Sequence, residues 1–250
     1  MATERALTGK VALVTGGSRG LGREMVLAFA AAGADVVIAS RKVDSCKEVA
    51  AQVEAMGRQA LPYGFHVGHW DEIGGLVDAA YDRFGHVDVL VNNAGMSPLY
   101  PDLPSVTEEL WDKVIGVNLK GPFRLTTLVG TRMAAGEGGS IINVSTTGSL
   151  RPAPDMLPYD AAKSGLNTLT EGFAKAFGPS VRVNCIMAGP FLTDIAENSW
   201  GPAAREHGMP RHALRRAGEP AEIVGAALYF ATDASSFTTG ATLRVDGGIP

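Results

Sequence analysis

Tyr159 and Lys163 stand four residues apart in the run Pro158-Tyr159-Asp160-Ala161-Ala162-Lys163-Ser164-Gly165. On a helix that spacing places both side chains on one face, aimed at the same cavity. A free phenol loses its proton at about pH 10. A lysine charge a few ångströms away favours phenolate and lowers that value, giving an acid or base usable near neutrality. The same pair also arises on any amphipathic helix as one half-buried ring and one solvated cation, so chemistry there requires other groups to converge on it.

The elements that would bring them together are legible as alternating runs. Val11–Val14, Val36–Ala39, Leu61–Val67, Val87–Val91, Ile141–Val144, Val181–Ile186 and Thr242–Val245 are short and nearly continuous in apolar character. That is the pattern of strands buried on both faces of a parallel sheet. Between them, Arg23–Ala32, Cys46–Met56, Ile73–Phe84, Thr107–Val117, Tyr159–Phe177 and Ala221–Phe230 carry helical periodicity. Strand–helix alternation predicts a doubly wound α/β sheet with right-handed crossovers. No repeat, linker or low-complexity tract divides the chain, so residues 1–250 are expected to form one domain. The stretch from Phe191 to Arg216 breaks the rhythm with Trp200, Pro202, Gly208, Pro210, His207 and His212. Its length suits a lid or binding loop.

Directly after the first strand comes Thr15-Gly16-Gly17-Ser18-Arg19-Gly20-Leu21-Gly22, and then a helix. Glycines here permit a tight turn and let backbone N–H groups at the helix N-terminus approach a pyrophosphate. The residues Gly16, Ser18, Arg19, Gly20, Leu21 and Gly22 are the expected cradle. The spacing is T-G-x-x-x-G-x-G, distinct from the general dinucleotide fingerprint. At the end of the second strand, where NAD-selective sites carry a carboxylate for the ribose diol, stand Ser40-Arg41-Lys42. An acid there would repel a 2′-phosphate, whereas a guanidinium binds it, often bidentately. With Arg19 as a second cation, NADP(H) is the preferred cofactor and NAD(H) the lesser alternative.

The order T-G-x-x-x-G-x-G, Asn92-Asn93-Ala94-Gly95, Asn118, Tyr159-x-x-x-Lys163 and Val245-Asp246-Gly247-Gly248 resembles the short-chain dehydrogenase/reductase family along essentially the whole chain. The resemblance implies a Rossmann-type, seven-stranded sheet, a nicotinamide cofactor and hydride exchange between a carbonyl and an alcohol. It implies Tyr159 as acid/base, Lys163 as ligand of the nicotinamide ribose that depresses the tyrosine pKa, and Asn118 as holder of a relay water. Asn118 lies in a helical pattern interrupted by Gly116, Gly121 and Pro122, where a distorted turn would free a carbonyl for such a water. Asn93, Ala94 and Gly95 would line the cofactor, as would Gly189, with Thr193 reaching the carboxamide or pyrophosphate.

Three departures from the family pattern stand out. The supporting serine is expected thirteen residues before the tyrosine; Thr146 occupies that place and Ser145 precedes it. Spacing favours Thr146, while an extra residue in the intervening proline-rich loop would favour Ser145. Either hydroxyl can donate to a substrate oxygen. The adenine-facing Asp-Val is His66-Val67, and Ala188-Gly189-Pro190 stands where Pro-Gly is usual. His66 and His69 do not by themselves make a metal site, which needs three or four ligands, and none is expected.

The substrate is expected beyond the nicotinamide, near Met96–Tyr100, Leu150–Leu157 and the 191–216 stretch, a largely apolar set that suits a moderately hydrophobic ketone or alcohol. The competing class is a non-catalytic NADPH-binding sensor, whose mark would be loss of Tyr159 or Lys163; both are present. With a net charge of −4, no basic run and 46% hydrophobic residues, neither nucleic acid nor anionic lipid is an expected partner. The two cysteines, an unremarkable amino terminus and the lack of any long apolar run point to the cytoplasm. Apolar and small residues on several faces of the 107–117 and 159–177 helices predict a homo-oligomer, a tetramer or a dimer.

Overall fold

The computed structural model describes residues 6–197 and 200–249. Seven strands form one parallel sheet: β1 (Val11–Thr15), β2 (Asp35–Ser40), β3 (Ala60–Gly64), β4 (Val89–Asn92), β5 (Gly139–Thr146), β6 (Val181–Ala188) and β7 (Thr242–Val245). Their spatial order is β3-β2-β1-β4-β5-β6-β7. The order reverses between β1 and β4, so the carboxyl ends of these two strands open a crevice at the switch point, the place where α/β sheets bind ligands. The third strand ends at Gly64, so Phe65, His66 and Val67 lie on the connection beyond it.

Helices cover both faces. On one side α1 (Gly20–Ala31), α2 (Val43–Ala55) and α9 (Val224–Ala231) pack Met25, Phe29, Val53 and Phe230 against β1, β2 and β5. On the other, α3 (Glu72–Phe84), α5 (Gly121–Ala135) and α6 (Leu157–Phe177) bring Ile73, Leu76, Leu125 and Val129 onto Leu13, Val37, Leu90 and Ile141. Fully buried side chains of this size contribute about 1.5–3 kcal/mol each, and they fix where each helix end meets the crevice.

The helix α5 has no counterpart in the sequence pattern above, where Gly121 and Pro122 were read as interruptions. They start it instead. Proline is tolerated in a first helical turn because its missing N–H has no partner there anyway, and a Cβ on residue 121 would lie 2.2 Å from the Val67 carbonyl oxygen, so only glycine fits. Between α4 (Glu108–Ile115) and α5 the chain continues as a π-helical turn, Gly116–Lys120.

The 191–216 stretch contains two short helices, α7 (Asp194–Glu197) and α8 (Gly201–His207). Its base is closed by a bridge between Phe191 and Gly218, with Leu192 N donating to Gly218 O and Gly218 N to Pro190 O, both at 2.9 Å. Its far end is tied by Ala213 N to Gly248 O (3.1 Å) and Leu214 N to Gly247 O (3.0 Å).

Candidate active site

The turn after β1 is built around Thr15. Its hydroxyl donates to Val91 O (3.1 Å) and accepts from the backbone N–H groups of Asn93 (3.0 Å) and Ala94 (3.1 Å). Asn93 returns the contact by donating its amide to Thr15 O at 2.9 Å. The glycine-rich turn and the Asn93-Ala94-Gly95 segment therefore face each other across the crevice as one unit. Gly16 and Gly20 hold positive φ, 66° and 51°, a region costly for other residues. A Cβ on Gly22 would meet the Gly16 oxygen at 2.2 Å. Leu21 packs half-buried against the core beside them.

No side chain caps the N-terminus of α1, and no acid lies in its first turn. A twelve-residue helix with uncapped N–H groups facing a glycine turn suits a pyrophosphate, so the residues present fit a dinucleotide. Arg19, at the N-cap, sits 3.5 Å from Asp194 of α7. Thr193 lies against Gly20, its Cγ2 3.4 Å from where a Cβ would stand. Gly189 N donates to Val245 O (2.9 Å), and a Cβ there would collide with the Asp246 backbone.

At the end of β2, Ser40 and Ser18 hydroxyls are 2.9 Å apart, so Ser18 is engaged with the strand as well as standing in the turn. Arg41 is exposed. His66 stacks on His69 with ring centroids 4.3 Å apart, and its Nδ1 accepts from Gly68 N (3.2 Å). Burial, His69 and Arg41, in that order, push the His66 pKa below its usual value, so the ring is held neutral. Val67 is buried beside α5. Among the described residues no three His, Cys, Asp or Glu side chains gather as metal ligands.

Tyr159 and Lys163 do share one face of α6, with the ammonium 5.8 Å from the phenol ring centre. Thr146, the last residue of β5, is the neighbouring hydroxyl that counters the rise in the Tyr159 pKa, and its Oγ1 also accepts from Gly148 N at 3.3 Å. Ser145, one position back, points the opposite way, as strand alternation requires; it is buried and donates to Lys163 O at 3.3 Å. Lys163 Nζ donates to Val144 O at 2.7 Å.

Around this pair burial acts against charge on both groups. The phenol is pushed up to about 12, chiefly by desolvation and then by the Asp160 charge, with Thr146 opposing. Desolvation also brings Lys163 down to about 8. Burial penalises the charged form of both groups more than the pair offsets.

Asn118 is fully buried in the π-turn. Its amide donates to Met96 O (2.8 Å) and Val114 O (2.9 Å), and its Oδ1 accepts from Met96 N (3.2 Å). The carbonyl at the helix distortion is thus taken by the Asn118 side chain itself. A Cβ on Gly95 would stand 3.0 Å from Asn118 Oδ1 and 3.7 Å from Lys163 Nζ, so Gly95, Asn118 and Lys163 adjoin one another.

Two supporting contacts were not foreseen. Asn92, one residue before Asn93 and so on the opposite face of the strand, donates to Asn143 Oδ1 (2.8 Å), and Asn143 donates to Thr170 Oγ1 (2.9 Å), registering α6 on the sheet. Tyr100 donates to Pro154 O (2.8 Å) and accepts from Leu157 N (3.0 Å), joining the loop after β4 to the start of α6. A polar residue within an otherwise apolar strand was the only sequence signal for the first; nothing local announced the second.

The switch-point crevice, the uncapped helix over a glycine turn and the hydroxyl–phenol–ammonium set define a nucleotide-binding oxidoreductase of Rossmann type. Residues 16–250 match the family model described as enoyl-(acyl carrier protein) reductase. The chain belongs to the short-chain dehydrogenase/reductase family, whose members bind a nicotinamide cofactor. It is 34% identical to dehydrogenase/reductase SDR family member 4 of Homo sapiens over 98% of this chain and 88% of that protein. It is 36% identical to the 3-oxoacyl-(acyl-carrier-protein) reductase of Thermotoga maritima, covering 97% and 98%. Among solved structures it resembles a putative short-chain alcohol dehydrogenase from Sinorhizobium meliloti (TM-score 0.91, 34% identity, 96% of each chain). It also resembles a blue fluorescent protein from a metagenomic library in complex with NADPH (TM-score 0.90, 31% identity, 98% and 99% covered).

Proposed function

We propose that the protein is an NADP(H)-dependent oxidoreductase that exchanges hydride between the nicotinamide and a moderately apolar ketone or alcohol. The observation that carries this reading is the placement of Tyr159 and the buried Lys163 on one face of α6, the ammonium 5.8 Å from the phenol ring centre. The bound cofactor supplies or accepts the hydride. In reduction, negative charge grows on the substrate oxygen; the Tyr159 hydroxyl delivers its proton there while Thr146 donates a second hydrogen bond. A phenol held protonated, as here, is poised as the acid of that direction. Lys163, one turn along α6 with Asn118 beside it across Gly95, is the group from which the phenolate regains a proton. Ser145 supports the helix from below, so Thr146 is assigned the supporting role.

The backbone amides of the 16–22 turn, together with Asn93, Ala94, Gly95, Gly189 and Thr193, would hold the dinucleotide. The exposed Arg41 and Arg19, which Asp194 approaches to 3.5 Å, favour the 2′-phosphate. Leu157, two residues before Tyr159, and Leu99, on the loop that Tyr100 ties to the start of α6, are exposed and would supply an apolar wall. The bacterial relative's name points to 3-oxoacyl thioesters as one substrate class within this chemistry. The exposed edge strand β7, with Leu243 and the fully protruding Phe237 nearby, and exposed Trp111 and Phe123 favour a tetramer or dimer of identical chains. No helix among the described residues is long and apolar enough to cross a membrane, and the proposed compartment is the cytoplasm.

The test is loss of reduced-nicotinamide absorbance against a panel of ketones. Activity with NADPH that falls about 100- to 10,000-fold in Tyr159→Phe, with NADPH affinity kept, is the expected result. Equal activity in that variant, or better efficiency with NADH, would overturn the acid role or the cofactor preference respectively.

A further inference from the structure

Asp160 follows the phenol directly and packs against the loop that runs from Gly148 to Ala153. It is 2% exposed. Its Oδ2 accepts from Ala153 N at 2.8 Å, while Oδ1 has no hydrogen-bond partner. Oδ1 lies against the backbone of Gly148, where an added Cβ would be only 2.1 Å away. The next residues on the same stripe of α6 continue the contact. Ser164 donates to Ser149 O at 2.8 Å, and Asn167 donates to Ser149 Oγ at 2.8 Å. Positions 160, 164 and 167 are one helical row, and together they strap the 148–153 loop onto α6. This loop directly follows Thr146, and its continuation through Pro154 meets the Tyr100 hydroxyl.

A buried carboxylate with a vacant oxygen is an expensive anchor, since a neutral amide could make the same bond to Ala153 N. What the amide lacks is charge. The ionisable groups facing this carboxylate are Asp155 from the loop and Tyr159 from its own helix; the Lys163 ammonium, a turn on, is directed to Val144 O. No cation answers it among these.

We propose that Asp160 is a positioning residue with two effects: its carboxylate pins the substrate-side loop to the helix bearing Tyr159, and its negative charge, on the residue next to the phenol, opposes a second negative charge there and so sets the pH range over which Tyr159 donates its proton. The proposal rests on Tyr159 being the acid/base. Burial raises the Asp160 pKa, and the Asp160 charge is the second cause of the raised tyrosine value, in keeping with the geometry.

Asp160→Asn keeps an acceptor for Ala153 N and removes the charge; Asp160→Ala removes both. In Asp160→Asn the pH at which alcohol oxidation reaches half its maximum falls by about one unit, and the basic limit of ketone reduction falls with it. Substrate KM stays within about twofold, because the strap is retained. In Asp160→Ala the same pH shift is accompanied by a KM increase of about tenfold. A readout free of turnover is the ultraviolet titration of the phenol, taken as the difference between each protein and its Tyr159→Phe counterpart; phenolate then forms at lower pH in Asp160→Asn. A profile and titration that superimpose on the wild type would overturn the charge effect, and an unchanged KM in Asp160→Ala would overturn the anchor. Should Asp160→Ala fail to fold, the asparagine variant still decides the charge effect, and Ser164→Ala with Asn167→Ala tests the strap by KM. If Tyr159→Phe is fully active, the acid/base reading fails; if that variant is inactive and the profiles superimpose, only the Asp160 proposal fails.

Discussion

Asn118 donates its side-chain amide to the carbonyl of Val114, four residues back, at 2.9 Å inside a π-turn. The side chain stands where a regular helix would use the backbone N–H of the same residue. The second amide hydrogen serves Met96 O, so one group holds both the turn and the loop after β4. Asn118→Ala leaves two buried carbonyls short of a donor, at about 1–3 kcal/mol each. The melting temperature should drop by several degrees, and Asn118→Asp should drop it further because a carboxylate offers acceptors where donors are needed. Equal melting temperatures for wild type and Asn118→Asp would contradict this account.

The buried lysine makes stability depend on alkaline pH. The Lys163 value is about 8 in the fold against 10.5 in the unfolded chain. Between those limits the unfolded chain binds more protons, so stability increases with pH across that window and is flat below it. The penalty for holding the ammonium buried, on the order of 3 kcal/mol below pH 8, should be relieved in Lys163→Met. Denaturant melts should show that variant more stable at pH 7, with the gap closing towards pH 10.5. A gap that stays constant would mean the ammonium is not desolvated as the fold indicates.

Cofactor selectivity should follow Arg41. Replacing its guanidinium by aspartate repels a 2′-phosphate and offers the diol of NAD(H) an acceptor. Arg41→Asp should raise the KM for NADPH at least tenfold and lower that for NADH. Fluorescence titration of both cofactors checks it directly, and equal loss for the two would place Arg41 outside the adenosine site.

Tyr100, a buried ring, makes the clasp's two hydrogen bonds through its hydroxyl. In Tyr100→Phe, Pro154 O and Leu157 N lose their shared partner, costing about 1–3 kcal/mol. Substrate KM should rise while kcat changes little, since neither group touches the phenol of Tyr159. A kcat loss with unchanged KM would refute the assignment.

The strands were legible because burial on both faces writes itself as runs such as Val11–Val14, and the strand order inverts where the glycine turn had placed the ligand. The start of α5 was not, because Gly121 and Pro122 break helices in general and begin one here only through the close approach of Val67 O. Spacing favours Thr146, whereas the engagement of the Ser145 hydroxyl with Lys163 O could not be read from the sequence. The Tyr159–Lys163 pair was visible as a spacing, but the direction of its pKa values was not, since desolvation depends on the walls that Asn118, Asp160 and the 148–157 loop raise around it. Tyr100 and Thr15 lay beyond reach for the same reason: their partners are distant in the chain.

The paired backbone at Phe191 and Gly218 closes the excursion between them like the neck of a bag. Its ends stay together whatever the contents, so the cost of changing its length grows only slowly. The segment is therefore a replaceable cassette. Grafting a different sequence between Asp194 and Ala213 would leave Thr193, the partner of Arg19 and the ties to Gly247 and Gly248 in place, so a new substrate would be accepted with the chemistry kept.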